Sequence, residues 1–406
     1  MLQIIKMAWR DLGRNRRRSF FSALALGLGV SLLLLMAAVV EDEIRTGMAT
    51  SIRLQSGHLQ VRASSYDEDK ASLAWSDLLE DPGGIAARLA ALPQVSAASP
   101  RLYASGILAL GDSSISVRVM GVDPAAATSA PFRESVVSGA MVGPEDREGV
   151  VIGQGLATRY SLATGDRLTV MVNTSNGDVD QQAFIVRGIY STKTPAFDDV
   201  TVLMPLAKAQ AITGAGNRAS LVLIMLKDRD QADAVAAAIQ GSGIRTHTWQ
   251  SLNRLLTDTE SLAQGFMIFL YLIILGITAT VVVNTLVMAV FERTREIGIL
   301  SALGMRRRQV MALFFAESAL LALGGIAIGV VLGVLFVALF SAVGVPVRPG
   351  LNGVLIGERL RATLTLRDTL TLSVLALIVT LISALYPARM AARMEPVEAL
   401  RGGKQA

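Results

Sequence analysis

Residues 19–40, SFFSALALGLGVSLLLLMAAVV, are 22 positions without a formal charge. A hydrocarbon core about 30 Å thick needs about 20 apolar helical residues, so this run is long enough to cross it. Equally uncharged runs lie within 261–291, within 318–347 and over 369–388, while the 220 residues of 41–260 hold no further candidate. The predicted fold class is a membrane protein with four transmembrane helices and an α+β extracytoplasmic domain between helices 1 and 2. The first run reads as a retained anchor rather than a cleaved signal. It exceeds the roughly 7–15 apolar residues of a signal core, and Glu41, Asp42 and Glu43 follow it in place of a small-residue cleavage pattern.

Composition agrees. Hydrophobic residues make up 52% of the 406-residue chain, charged ones 17%, and mean hydropathy is +0.49; an average soluble domain is about 25% charged. That balance excludes a disordered chain and argues against an ordinary soluble enzyme. The lack of cysteine excludes a disulfide scaffold, a thiolate metal site and a cysteine nucleophile. His58 and His247 stand 189 positions apart, which offers no His-rich metal site.

The net charge of +5 hides a division, because 41–260 sums to −6 and the remainder to +11. Six cations precede the first run and five arginines stand in 292–308. The positive-inside rule then places both termini and the 292–317 connection in the cytoplasm, with 41–260 and the 348–368 loop outside. The predicted map is an amphipathic elbow helix over 1–18, spans at 19–40, 261–291, 318–347 and 369–388, a coupling helix and loop over 292–317, and a cytoplasmic tail over 389–406. Leu2, Ile5, Trp9 and Leu12 fall near one helical face with Lys6, Arg10 and Arg14 off it. That is the pattern of a helix lying on an anionic leaflet, and no aromatic interleaving supports nucleic acid as the partner.

Within 41–260, residues 57–62 alternate as a strand, and Ile85, Leu89 and Leu92 recur at helical spacing until Pro93. Residues 105–122 read as a hairpin turned at Gly111-Asp112, with Ile115, Val117 and Val119 on one face. Residues 221–226, LVLIML, read as a buried strand. A helix with Ala232, Val235, Ala236 and Ile239 follows, then Gly243 and a strand over 244–247. Two strand–helix–strand units suit a split ferredoxin-like porter part over 41–129 and 206–260. A β-rich insert fills 130–205, where strands at 168–172 and 183–189 flank Asn176-Gly177, a strong hairpin signal. The polar tip, with Asn173, Asn176, Gly177 and Asp178, reads either as a solvated turn or as a docking site for a periplasmic protein.

No catalytic constellation emerges, and the predicted sets of catalytic residues and metal ligands are empty. Asp67-Glu68-Asp69 and Asp198-Asp199 are acidic clusters without partners fit for metal or acid–base work. No GxxxxGK[ST] loop exists to cradle phosphate, and Gly153-Gln154-Gly155 lacks the third glycine of a dinucleotide fingerprint. Asn284 and Glu317 are the polar residues nearest the hydrocarbon, Glu317 being read as an interfacial side chain two turns from Arg308. Gly325, Gly329 and Gly333 make two overlapping GxxxG steps; these permit close helix packing, inside one subunit in preference to dimerisation.

The most informative connection is 284–317, NTLVMAVFERTREIGILSALGMRRRQVMALFFAE. The second span runs into ERTREIG without a turn signal. Ile297, Leu300 and Leu303 then give a short helix an apolar face, and Gly304 is placed to stop it. A solvated basic loop does not require so regular a face, whereas a cytoplasmic partner does.

The chain here resembles permease subunits of the lipoprotein-releasing (LolC/LolE-like) and MacB-like, FtsX-type class of ABC transporters, the type VII mechanotransmission group. ERTREIGILSALGMRRRQV is similar to the coupling-helix signature of that family, and YPARMAARMEPVEALR (386–401) to its C-terminal ending. IKMAWRDLGRNRRRSFFSALALGLGV looks like its elbow helix and first span. VIGQGLATRYSLATGDRL and FIVRGIYSTKTPAFDDVTVLMPLAKAQ look like its strand-rich insert.

The resemblance implies a division of labour. A separate cytoplasmic ABC ATPase would hold ATP and Mg and dock on a dimer of this chain with a second copy or a paralogue. Glu292, Arg293, Glu296, Gly298, Leu300, Ala302, Leu303 and Gly304 would lie at that contact. Ser301 stands where many relatives carry Arg or Lys, and the 173–182 hairpin lacks the proline of the carrier-recruiting hook. This chain would then be no enzyme and bind no cofactor itself. It would couple hydrolysis in trans to periplasmic movement, extracting or exporting a lipoprotein or another amphiphilic cargo from the bacterial inner membrane. Its partners would be membrane lipid and a periplasmic carrier or adaptor, with no nucleic acid. The alternative is an FtsX-like regulatory relay controlling a cell-wall hydrolase or a sensor kinase, which shares the four-span plan.

Overall fold

A computed structural model describes residues 2–67, 72–110, 113–239, 241, 243–346 and 359–394. In chain order, α1 (Leu2–Arg14) and α2 (Arg16–Ser51) lead through a π-helical turn, Ile52–Ser56, into β1 (Leu59–Ala63), β2 (Leu79–Glu80), α3 (Pro82–Ala90), β3 (Val95–Leu110) and β4 (Ser113–Val122). Then come α4 (Ala130–Glu134), β5 (Val136–Gly139), β6 (Gly149–Gly153), α5 (Gln154–Tyr160), β7 (Arg167–Asn173), β8 (Val179–Tyr190), α6 (Pro195–Asp198), β9 (Thr201–Pro205) and α7 (Leu206–Thr213). The outer segment closes with β10 (Arg218–Ala219), β11 (Leu221–Leu226), α8 (Ala232–Ala238), β12 (Ile244–Thr248) and α9 (Trp249–Leu252). The remainder is α10 (Arg254–Glu292), α11 (Thr294–Ala302), α12 (Arg307–Val343), β13 (Val345–Pro346), β14 (Arg359–Leu360), α13 (Leu366–Ser383) and α14 (Leu385–Ala392).

One compact unit comprises 1–43, 260–345 and 360–406, the other 44–259 and 346–359. Among the described residues, four helical stretches are long and apolar enough to cross a membrane: α2, α10, α12, and α13 with α14. Helix α2 continues past the predicted span end at 40 to Ser51, since nothing in EDEIRTGMATS breaks a helix. Helix α12 ends at Val343, short of the predicted 347. Gly344 adopts φ +60° there and Pro346 follows, so the helix cannot continue. Residues 347–358 and 395–406, including most of the predicted outer loop and tail, lie outside the described residues.

The glycine ladder of α12 packs on α2 of the same chain. A Cβ added to Gly325 would stand 2.6 Å from Leu26 Cδ2, one on Gly329 2.7 Å from Val30 Cβ, and one on Gly333 2.8 Å from Leu34 Cδ1. The approach is reciprocal, because a Cβ on Gly27 would meet the Gly325 carbonyl oxygen at 2.9 Å. Without a hydrophobic drive between helices in lipid, backbone approach of this kind supplies the van der Waals contact that holds them. Val30, Leu33, Leu34 and Ala37 of α2 then meet Leu275 of α10 and Leu372 and Ala376 of α13 in the bundle core.

The outer unit is built on a 10-stranded sheet whose path is β12-β1-β11-β3-β4-β9-β6-β8-β5, with β7 joining β3 and β8. Pairing along β12, β1, β11 and β3 is antiparallel throughout. Leu59, Val61, Val222 and Ile224 meet Ala86 and Leu89 of α3 and Val235 of α8 on one face. The strand expected over 221–226 is β11 without an end shifted. The paired strands β3 and β4 run to Leu110↔Ser113, while the expected turn at 111–112 lies outside the described residues. β7 and β8 pair as far as Asn173↔Val179, with Gly177 at φ +87° in the tip.

The boundary at 130–205 is less clean in the fold than in the sequence. β3 has 16 residues, about 50 Å of chain at roughly 3.3 Å per residue, too long to serve one neighbour. It pairs with β11 through Val95–Arg101 and with β7 through Gly106–Ala109. Leu108, Val117 and Val119 from β3 and β4, and Ala209 and Ile212 from α7, share the core of Val150, Ile152, Leu168 and Phe184. The insert therefore borrows both flanking strands and the helix after it.

Two contacts fasten the root of this unit. Arg101, fully buried, donates to Leu54 O at 2.5 Å and Thr128 O at 3.1 Å, and its guanidinium lies 5.6 Å from the Phe132 ring centre. It thereby satisfies a carbonyl that the π turn frees. His58 Nδ1 accepts the Leu226 N–H at 2.9 Å; burial pushes this imidazole below its ordinary value of 6.5.

Replacing Gly329 by Leu should lower stability by about 1–3 kcal/mol through overpacking. Gly324→Leu should change little, because a Cβ there meets nothing within 4 Å; melting of the detergent-solubilised chain compares the two, and equal melting would remove the packing role. A lowered histidine pKa means the unfolded chain binds more protons, so His58 stabilises fully above pH 6.5, and that contribution falls as pH drops below it. His58→Gln should therefore show a smaller loss of melting temperature between about pH 7.5 and 5 than the wild-type chain.

Candidate functional site

The residues with chemistry to offer converge where α1, the start of α2, α11 and the start of α12 meet. Helix α10 breaks at Arg293 (φ −110°, ψ 15°), α11 makes two and a half turns, and Gly304 at φ +94° reverses the chain before α12. Asp11, Arg14 and Arg18 recur at i, i+3 and i+7, one face of the N-terminal helices. Opposite them stand Arg293, Glu296 and Glu292.

The charges match one to one. Arg18 pairs with Glu292, Arg14 Nη2 reaches Glu296 Oε1 at 2.6 Å, and Arg293 Nη1 reaches Asp11 Oδ2 at 3.2 Å. Arg293 Nη2 also donates to Asp11 O at 3.1 Å, and Nη1 lies 3.6 Å from Glu317 Oε2. Arg293 is 6% exposed and Glu317 3%, whereas the Arg14 and Glu296 side chains are about half exposed at 55% and 50%. The Arg293 group is thus a buried cation between two acids, where loss of one partner is costly. The Arg14 pair is solvent-screened and contributes little by itself.

The apolar face of α11 divides. Ile297 and Gly298 are buried, Ile297 against Val290, Val310 and Phe314, and Leu300 is half-buried beside Met305. Ile299 is 44% exposed and Leu303 80%, with Ala302 and Gly304 also exposed. Three positions spaced by three drift around a helix that ends at Ala302, so Ile297 and Leu300 turn inward while Leu303 turns out. Of the eight residues expected at a partner contact, Arg293 and Gly298 are inside the fold, and Glu292 and Glu296 are engaged with arginines. Glu317 is not interfacial beside Arg308 but buried against Arg293.

These internal pairings escape the sequence because the basic stretch 14–18 also suits anionic headgroups. The signal that was present is the alternation of sign, with Asp11 amid cations and Arg293 amid acids. Ile5 and Trp9 of α1 are 51% and 70% exposed, whereas Leu12 packs against Leu286 and Leu321 and Ala8 is fully buried where α1 meets α12.

The outer hairpin tip exposes Asn173, Asn176, Gly177 and Asp178. It does not project freely. Ser175 N donates to Thr213 O at 2.7 Å, and Ser175 Oγ and Trp75 Nε1 both donate to Gly214 O, at 2.7 and 3.0 Å. Among the described residues, no three His, Asp or Glu side chains gather as a metal site would require.

Two families match the chain: "MacB-like periplasmic core domain" over residues 19–242 and "FtsX-like permease C-terminal" over 268–396. The lipoprotein-releasing system transmembrane protein LolC of Neisseria meningitidis is 25% identical, over 97% of this chain and 98% of that protein. The pyoverdine export ATP-binding/permease protein PvdT of Pseudomonas syringae is 26% identical over 98% of this chain, which spans 59% of that relative's length. The lipoprotein-releasing system transmembrane protein LolE of Haemophilus influenzae is 23% identical, over 94% of this chain and 93% of that protein.

Arg293→Gln strands Asp11 and Glu317 and should cost about 3–5 kcal/mol, against about 1 kcal/mol or less for Arg14→Gln. Thermal unfolding of the solubilised chain measures both. Equal, small losses would show that the buried group is not what holds α1 to α11.

Proposed function

Because the chain belongs to the MacB-like and FtsX-like permeases of ABC transporters, we propose that it is the subunit through which a separate ABC ATPase drives movement of an outer domain. The observation that carries this is the α11 segment, held rigidly on its inner side by ion pairs and presenting Ile299 and Leu303 on its outer side. An exposed apolar pair on a short, fastened helix suits a pocket on a cytoplasmic partner. The partner supplies ATP and Mg chemistry, and this chain supplies the mechanical link.

In this reading both termini and α11 are cytoplasmic, and the unit formed mainly by 44–259 lies outside the inner membrane. The β12-β1-β11-β3 order, in sequence 4-1-3-2 with α3 and α8 as crossovers, supports a split ferredoxin-like porter carrying the β-rich insert. A second copy or a paralogue completes the transporter. The cargo is a lipoprotein or another amphiphile of the inner membrane, passed to a periplasmic carrier or adaptor. The names borne by LolC and PvdT, lipoprotein release and pyoverdine export, support that cargo class without choosing within it. The exposed tip residues Asn176 and Asp178 are the side chains offered to such a carrier.

Leu303→Asp places a charge on the exposed end of α11, where folding is little affected. It should reduce recovery of an ABC ATPase with the tagged chain from solubilised membranes at least about tenfold, a loss of about 1.4 kcal/mol in association. Undiminished recovery with unaltered permease-dependent hydrolysis would overturn the proposed contact. Recovery of a cell-wall hydrolase without extractable cargo would turn the reading into that of a regulatory relay.

A further inference from the structure

The face of the outer sheet opposite α3, α7 and α8 is covered at one end and open at the other. Strand register puts Arg62, Tyr103, Ser105, Ile107, Arg118 and Met171 on that single face: Ser105 lies opposite Arg118, and Ile107 opposite Met171. Over Met120 and Val122 the face is covered by Leu54 and Phe132. From Arg118 onward it opens into a cleft of about 700 Å³, also lined by Ser56, Asn253 and Val179. That volume falls within the range of small-molecule sites.

The lining divides by chemistry. Ile107 and Val179 are 43% and 59% exposed, large for β-branched side chains in a concavity, and Met171 extends the apolar strip. Arg118 is exposed, and among the described residues its guanidinium makes no hydrogen bond or ion pair. The hydroxyl of Ser105 stands across the strand pair from it. Arg62 is a fixed wall of the cleft: it gives its guanidinium to Gln60 Oε1 at 2.6 and 2.9 Å and lies 5.4 Å from the Tyr66 ring centre. A neutral polar ligand would leave the Arg118 charge unused, and a bare anion would leave the apolar strip wet.

We infer that this cleft binds an amphiphile with an anionic head, phosphate or carboxylate, seated on Arg118 and the neighbouring hydroxyls, with a short apolar arm on Ile107, Met171 and Val179. The site takes no part in coupling to an ATPase, so its failure would leave the proposed permease role standing. Binding is measured by calorimetry on the full chain in phosphatidylcholine nanodiscs, with empty discs subtracted. Hexyl phosphate should bind saturably, and inorganic phosphate and hexanol at least about tenfold more weakly, in keeping with an ionic contact of about 1.4 kcal/mol. Arg118→Gln should weaken hexyl phosphate about tenfold and leave hexanol unchanged, while Ile107→Asn should weaken both. Competition by phosphatidylglycerol placed in the discs would identify the occupant as membrane lipid; its absence would identify a separate anionic molecule. No saturable binding above empty discs, phosphate binding as tightly as hexyl phosphate, or an Arg118→Gln variant indistinguishable from wild type would each overturn the assignment.

Discussion

A guanidinium withdrawn from water must be met by charge or by several acceptors, and Arg293 is the place where this chain accepts that constraint. One side chain holds Asp11 by its carboxylate and by its backbone carbonyl, and holds Glu317 at the same time. Three segments far apart in sequence, the N-terminal helix, the break after α10 and the start of α12, are thereby joined at one buried point. Hydrophobic contacts such as Ile297 against Phe314 fill the surroundings, but such packing is tolerant of sliding. A buried ion pair is not, because displacement leaves an uncompensated charge in a poorly solvated place. Arg293 therefore sets the register of α11, and the packing follows it.

The outer unit solves its own continuity problem with β3. A 16-residue strand whose one edge is shared between β11 and β7 makes the insert an extension of one sheet rather than a bead on a linker. Phe132, Tyr190 and Phe197 cluster with ring centres 5.6 to 6.1 Å apart on the face that also receives Leu54 from the π turn. Arg101 closes that joint without any carboxylate, using two carbonyls and a ring. Its positive charge is offset by dipoles and by the negative aromatic face, an arrangement that demands a fixed backbone around it.

Much of this was legible in the residues. Uncharged runs long enough to cross a bilayer found the four apolar helices, and the alternation of Leu59, Val61 and the LVLIML run found β1 and β11. These signals survive because each depends on a single local requirement: length against bilayer thickness, or period against pleat. The Asp11–Arg293–Glu317 group was not legible, since each partner taken alone has an adequate solvated explanation and only the fold brings positions 11, 293 and 317 together. Glu317 was misplaced for the same reason, its nearest sequence cation being Arg308 while its spatial one is Arg293. The sharing of β3 was hidden because a long strand and two short ones look alike where Gly106 interrupts the pattern. The inward turn of Ile297 and Leu300 depended on where α11 stops, and helix ends are the least local of these features.

Polar contacts stand at both ends of α2 and α10. At one end Arg18 meets Glu292 and Ser22 Oγ lies 3.0 Å from Thr285 Oγ1. At the other end Asn253, the residue before α10, accepts from Ser51 and donates to Ser56 Oγ at 3.1 Å. Between these ends Gly29 stands close to the Thr278 methyl, and Leu275 packs among Val30, Leu33 and Leu34. The same α2 that carries Arg18 runs unbroken to Ser51 and enters the π turn whose carbonyl Arg101 grips.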